Sequence, residues 1–114
     1  MRPLKILHLS LQKLPFAVMV TREKRNEYRR QSKWLMSRLL NKDGTDKYYD
    51  IIRFTNGYGK DKPSFDYNYL GYCISEYNQL FKYSNGLVVQ VDTQTVIIRC
   101  GDIIAITNHK ITTS

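Results

Sequence analysis

The chain has 114 residues, of which 42% are hydrophobic and 25% are charged, values that are ordinary for one globular domain. Its formal net charge of +8 is uneven, because residues 1–42 hold eleven Lys and Arg against two acids, whereas residues 43–114 hold seven against eight. No apolar run approaches the roughly 20 residues of a transmembrane helix, and the N-terminal segment lacks the pattern of a signal peptide. We therefore expect a cytoplasmic domain with no membrane partner.

The N-terminal segment predicts a strand followed by a helix. Residues Lys5–Leu11 alternate, so that three leucines share one face while His8 and Ser10 lie on the other. Pro15 is compatible with the first turn of a helix, and the apolar spacing that follows it predicts a short helix that runs to about Thr21.

A second strand and a second helix are predicted next. Arg25–Arg30 reads as a strand that exposes most of its charges. Ser32 can cap a helix whose apolar face includes Leu35 and Leu39, with Trp34 at the edge of that face. The segment Asn41–Gly44 is expected to end this helix.

The second half of the chain predicts five short strands separated by Gly- and Asn-containing turns. Together with the first half, this pattern predicts an α+β fold, a small closed or half-closed β-barrel with two short helices in its N-terminal half. We expect a single domain over residues 1–114, with a core at about 5–106 and a tail at 107–114. The predicted strands are Tyr48–Phe54, Phe65–Glu76, Leu87–Val91, Thr95–Arg99 and Ile103–Thr107. The predicted core side chains are Leu7, Leu9, Phe16, Leu35, Leu39, Ile52, Phe54 and Ile98.

The segment 21–30, read TREKRNEYRR, is the most basic part of the chain. Such a concentration of like charge in a structured element favours an anionic partner. On a strand, Arg25, Glu27 and Arg29 would share one face, with Lys24 at the preceding turn and Arg30 at the other end. They would form the floor of a cleft that binds a phosphate or a base edge. The alternative is a solvent-exposed edge strand whose opposite charges pair with one another.

The turn at residues 55–60, read TNGYGK, is a second candidate for ligand contact. Asn56 and Gly57 could present an amide and backbone N–H groups to an anion, Tyr58 could stack on a base, and Lys60 adds a charge. The same residues are also typical of an ordinary hairpin turn.

Metal and cofactor sites have little support in the sequence. The two His and two Cys residues lack the spacing of a zinc site, and no phosphate-binding or dinucleotide-binding glycine motif occurs. His8 could act as an acid or base, although a structural or solvent-facing histidine fits the same pattern. We expect no metal and no cofactor.

Six short motifs occur in order between residues 5 and 106: LHLSL at 7–11, F at 16, EKRNEYR at 23–29, KWL at 33–35, TNGYGK at 55–60 and IIRCGDII at 97–104. Their order and spacing resemble the ASCH family, a branch of the PUA-like superfold, and its phage-type members in particular. This resemblance implies a PUA-like barrel that binds RNA or a nucleotide in a basic cleft.

The chain departs from the family pattern at three positions. Arg22 stands where the family usually has glycine, so the turn there must tolerate a side chain. Thr55 replaces an arginine of related chains. Members that hydrolyse acetylated cytidine use a Lys, a Thr and a Glu; Lys24 matches their lysine, but Glu27 occupies the position of their threonine. The nucleophile of that reaction is therefore missing.

RNA or a nucleotide is the ligand that the sequence and the resemblance favour together. The cleft would be formed by Lys24–Arg30, the Asn56–Lys60 turn and the polar side of the first strand, with Glu27 at its chemical centre. Two alternatives remain. One is an enzyme on the same cleft, a nucleoside amidohydrolase or a ribonuclease in which Glu27 and Lys24 are catalytic. The other is a phage-encoded module whose basic face binds or inhibits a protein.

Overall fold

The structure, a computed structural model, describes residues 3–11, 13–57 and 62–107. In this part of the chain two helices and seven strands form an α+β fold, as the sequence predicts. Both helices lie in the N-terminal half. The elements are β1 (Ile6–Leu11), α1 (Lys13–Val20), β2 (Asn26–Arg29), α2 (Lys33–Leu39), β3 (Ile51–Asn56), β4 (Ser64–Ile74), β5 (Gln79–Lys82), β6 (Val88–Val91) and β7 (Val96–Thr107).

Five of the strands form a curled sheet in the order β1-β3-β4-β7-β2, which has the shape of a half-barrel. The pair β1–β3 is parallel, and the other neighbours in this sheet are antiparallel. Strands β5 and β6 form a separate hairpin. The two edge strands of the sheet, β1 and β2, therefore mark the open side of the half-barrel.

The core fills the inside of the curled sheet. All eight predicted core side chains are buried and belong to one hydrophobic cluster. Leu7, Leu9 and Leu11 of β1 point into it, as their alternation predicts. Helix α1 adds Phe16 and Met19, and the buried Tyr67 of β4 donates a hydrogen bond from its hydroxyl to the carbonyl oxygen of Met19. Helix α1 is thereby fixed against the sheet.

Helix α2 begins where the sequence predicts. The Ser32 hydroxyl accepts a hydrogen bond from the backbone N–H of Leu35 at 3.0 Å, which satisfies one of the otherwise unpaired N–H groups at the helix start. The helix ends at Leu39, before the predicted Asn41–Gly44 stop, because Leu40 already has an extended backbone. Leu40 also forms an isolated β-bridge with Asp46.

One predicted break between two strands is wrong. The sequence placed a break at Gly101-Asp102, but β7 is continuous through both residues and pairs along β4. A Cβ atom at Gly101 would lie 3.0 Å from Cβ of Asn68 on β4, so the glycine permits a close approach of two strands. Strand β5 was not predicted, because Gln79–Lys82 carries only two apolar residues.

Candidate ligand-binding cleft

A cleft of about 640 Å³ opens along the seam of the half-barrel, between the edge strands β1 and β2. A side chain crosses this seam. The Nη2 group of Arg29 on β2 donates a hydrogen bond to the carbonyl oxygen of Ser10 on β1. The cleft therefore lies where the sheet curls toward closure without completing a barrel.

The parallel strands β1 and β3 supply one side of the cleft. They run in register and end together at Leu11 and Asn56, so Ser10, Leu11, Asn56 and Gly57 all line it. The backbone N–H of Gly57, which has φ +87°, donates to the carbonyl of Leu11 at 3.1 Å, and that of Asn56 donates to Pro63 at 2.9 Å. Both of these N–H groups are therefore paired within the protein, and the remaining N–H groups of the predicted anion-binding turn lie outside the described residues.

Three charged side chains form the base of the cleft. Lys24 is 2% exposed, and its Nζ lies 2.8 Å from Oε1 of Glu27, which is itself 5% exposed. Nε of Arg29 lies 3.1 Å from Oε2 of the same carboxylate. The backbone N–H of Tyr28 also donates to Oε1, at 3.1 Å. Each carboxylate oxygen thus accepts from a cation, and the group of three carries a net charge of about +1.

Aromatic and aliphatic side chains supply the opposite wall. The Lys24 ammonium lies 5.3 Å from the centroid of the Tyr28 ring, which stacks on Phe81 of β5 at 5.3 Å with 16° between the planes. Val89 of β6 completes this wall. The β5–β6 hairpin, which is not part of the main sheet, therefore shapes the cleft.

Glu23 connects that hairpin to the basic segment. Its two carboxylate oxygens accept hydrogen bonds from the backbone N–H and from the hydroxyl of Ser84, both at 2.6 Å. These bonds from Ser84 hold the pKa of the Glu23 carboxyl below its usual value. This contact could not be predicted from the sequence, because Ser84 lies in the hairpin turn, far along the chain from Glu23.

A second depression, of about 620 Å³, adjoins the cleft. It is lined by His8, Leu9, Ser10, Arg29, Trp34, Thr55 and Gly57. Ser10, Arg29 and Gly57 line both spaces. Trp34 is the functional candidate that sequence reasoning missed, although its place at the edge of the apolar face of α2 was visible in the sequence.

The structure brings most of the predicted site residues together. Lys24, Glu27 and Arg29 meet Ser10 and the Asn56–Gly57 turn in the cleft. His8 lines the adjoining depression, and the exposed Arg30 lines a third one beside β6. Tyr58 and Lys60 lie outside the described residues.

Arg25 is not where the alternating pattern predicts it. It is exposed and does not line the cleft, because β2 begins only at Asn26 and the strand alternation does not extend to Arg25. Lys24 lies in the turn before β2, as predicted, and its side chain is buried beneath the cleft. Of the charges at 25–30, Arg25 and Arg30 are exposed, Arg29 is partly buried and Glu27 is buried.

Arg22 adopts the conformation that favours glycine at this turn. Its φ of +70° lies in the left-handed region, which costs free energy for a residue with a side chain. Two contacts hold it there. Nη1 donates to the carbonyl of Gly101 at 2.6 Å, and the guanidinium carbon lies 5.2 Å from the centroid of the Tyr67 ring. The turn thus tolerates the arginine, as the sequence required.

No protein-family model, curated protein or solved structure matches this chain. In residues 3–11, 13–57 and 62–107, no helix is long and apolar enough to span a membrane. The same residues contain no group of three His, Cys, Asp or Glu side chains placed to hold a metal ion. The geometry of the cleft is therefore the basis on which a function can be proposed for this chain.

Proposed function

We propose that the cleft between β1 and β2 binds RNA or a nucleotide, and that the chain is an ASCH-type domain of the PUA-like superfold. The observation that carries the proposal is the buried group of Lys24, Glu27 and Arg29 at the base of an open cleft. Burying charges costs free energy that an apolar core would not, so such groups often mark a functional site. The order of the motifs and the left-handed Arg22 support the family assignment.

The ligand is held by the donors that the three charged residues leave available. Nε and Nη2 of Arg29 are bound to Glu27 and Ser10, whereas Nη1 makes no hydrogen bond to any described residue. This group is placed to donate to a phosphate, and the nearby Lys24 ammonium adds attraction. Glu27 fixes the positions of both cations, and the Asn56 side chain supplies an amide for a base edge.

Single-stranded RNA fits this arrangement better than duplex DNA does. Lys24 and Arg29 lie at the base of a cleft beside the Tyr28 ring, and neither belongs to a helix that could enter a major groove. Unstacked bases and their phosphates can enter such a cleft, whereas the edges of paired bases cannot.

Salt-dependent binding is the first expected result. If four or five phosphates are contacted, the logarithm of the affinity for single-stranded RNA should fall with the logarithm of the salt concentration at a slope of about −3, because single strands release roughly 0.7 counterions per phosphate. Fluorescence anisotropy of a labelled oligoribonucleotide at several salt concentrations measures this slope. A flat dependence, or no binding at low salt, would contradict the proposal.

The pair Arg29→Ala and Arg25→Ala provides the matched control for that experiment. Both variants remove one positive charge from the same segment, but only Arg29 lines the cleft. Arg29→Ala should weaken binding much more than Arg25→Ala. Equal losses would mean that RNA is held by general surface charge and that the cleft plays no part.

An enzyme on the same cleft is the second candidate. The 2.8 Å contact between Lys24 and Glu27 places a proton donor beside a proton acceptor at the base of the cleft, as general acid–base chemistry on RNA would require.

A protein-binding or inhibitory module is the third candidate. It would predict tight binding of one protein partner through the basic face and no salt-dependent affinity for RNA.

We expect no hydrolysis of acetylated cytidine by the native chain. The position of the threonine nucleophile holds Glu27, whose two oxygens already accept hydrogen bonds from Lys24 and Arg29. A carboxylate held in this way is a poor substitute for an activated hydroxyl. Chromatography of the nucleoside after prolonged incubation measures the product directly, and sustained release of cytidine would overturn this account of Glu27.

A further inference from the structure

Trp34 presents an exposed aromatic ring beside the cleft. It lies in the first turn of α2 and is 51% exposed, while Leu35 and Leu39 of the same helix are buried in the core. The guanidinium carbon of Arg38, one helical turn later, lies 5.3 Å from the centroid of the indole ring. This contact restricts the orientation of the ring before any ligand arrives.

The depression that contains Trp34 adjoins the cleft. Both spaces share Ser10, Arg29 and Gly57, so the Arg29 guanidinium lies at their junction. The group of Lys24, Glu27 and Arg29 lies on one side of this junction, and Trp34 with His8 lies on the other. Together the two spaces form a groove that crosses the seam of the half-barrel.

We propose that this groove binds single-stranded RNA of at least two nucleotides, with the phosphate between them at Arg29 and one of the two bases stacked on Trp34. The inference rests on the proposed function and names its ligand class more closely, since a single nucleotide would occupy only one of the two spaces. Stacking on an indole ring is tolerant of sequence because every base has an aromatic face. The Trp34 side of the groove therefore contributes affinity and little base selectivity.

The chain contains one tryptophan, so its intrinsic fluorescence reports on this position alone. We expect a uridine tetranucleotide to quench the fluorescence along the same binding curve that anisotropy of the labelled RNA gives. Trp34→Ala should lower the affinity roughly 5- to 150-fold, the loss that corresponds to one stacked base. Trp34→Phe keeps an aromatic ring, so its affinity for the tetranucleotide should fall by less than that of Trp34→Ala.

Tyr77→Ala is the matched control for removal of an exposed aromatic ring. Tyr77 is 69% exposed and lines neither space, and its described hydrogen bonds with Ser75 use only the Tyr77 backbone. The Tyr77→Ala variant should bind the tetranucleotide with the same affinity as the native chain. Circular dichroism of all three variants verifies that each retains the native fold.

The outcomes separate this inference from the proposed function. The role of Trp34 would be overturned if the native chain binds the tetranucleotide with unchanged fluorescence and if Trp34→Ala binds it with full affinity. If Arg29→Ala still weakens binding in that case, the proposed function stands. Uridine monophosphate that binds as tightly as the tetranucleotide would overturn the two-nucleotide groove. No binding of any RNA at low salt would overturn the proposed function and this inference together.

Discussion

Replacing Glu27 by alanine is expected to lower the free energy of unfolding by about 3–5 kcal/mol, because the change leaves a buried cation without its counter-charge. Lys24 is 2% exposed, and its ammonium has the Glu27 carboxylate as its ion-pair partner among the described residues. The other hydrogen bond described for it goes to the sulfur of Met19 at 3.8 Å, which is weak. Urea denaturation followed by circular dichroism measures the loss.

The Lys24→Met variant is the control, because it removes the buried positive charge where Glu27→Ala leaves that charge unpaired. Methionine fills a similar volume without charge, and the remaining Glu27 carboxylate keeps its contacts with Arg29 and the Tyr28 N–H. Lys24→Met should therefore destabilise the fold less than Glu27→Ala does. If the two variants lose equal stability, or if Glu27→Ala loses less than about 1 kcal/mol, these side chains are more hydrated than their burial indicates.

The double variant Lys24→Met with Glu27→Leu distinguishes stability from function. Apolar residues of similar volume often restore or exceed the stability of a buried ion pair. We expect this variant to regain most of the stability lost in Glu27→Ala and to bind RNA poorly. A stable fold with weakened binding would show that the buried charges serve the cleft and not the core.

Replacing Leu39 by alanine is the second change with a large expected effect, about 2–5 kcal/mol of unfolding free energy. Leu39 is completely buried and belongs to the same hydrophobic cluster as the leucines of β1. Its truncation removes apolar contacts and leaves a cavity between α2 and the sheet, which the surrounding backbone can fill only in part. The measurement is again the midpoint and slope of denaturant unfolding.

Leu4→Ala serves as the comparison for Leu39→Ala, since it deletes the same atoms from a side chain that is 63% exposed. Its effect should stay within about 0.5 kcal/mol. A loss below about 1 kcal/mol for Leu39→Ala would mean that α2 packs only loosely on the half-barrel. That result would also argue against a rigid placement of Trp34 by helix α2.

Local patterns in the sequence predicted much of the fold correctly. The alternation of Leu7, Leu9 and Leu11 identified both β1 and its buried face, and Ser32 marked the start of α2. These predictions succeed because a strand period and a helix cap depend on residues only a few positions apart. The clustering of Lys24 with Glu27 was visible for the same reason.

Features that depend on distant segments could not be predicted in this way. Gly101 resembles a turn residue, and only the approach of Asn68 on β4 shows why a strand needs glycine there. Val89 and Ser84 contribute to the cleft through a hairpin whose position no local pattern encodes. The depth of Lys24 depends on how far the sheet curls, which is a property of the whole fold.

The parallel pairing of β1 with β3 has a consequence for the order in which the chain acquires its cleft. Residues 12–50 lie between these two strands, so β1 can find its neighbour only after that whole segment has been synthesised. Strand β2 must wait still longer, because its partner β7 begins at Val96. Contacts of such long sequence separation form slowly in folding. The basic segment therefore leaves the ribosome long before its partner strand β7 does, and it is among the last parts of the fold to reach its native geometry.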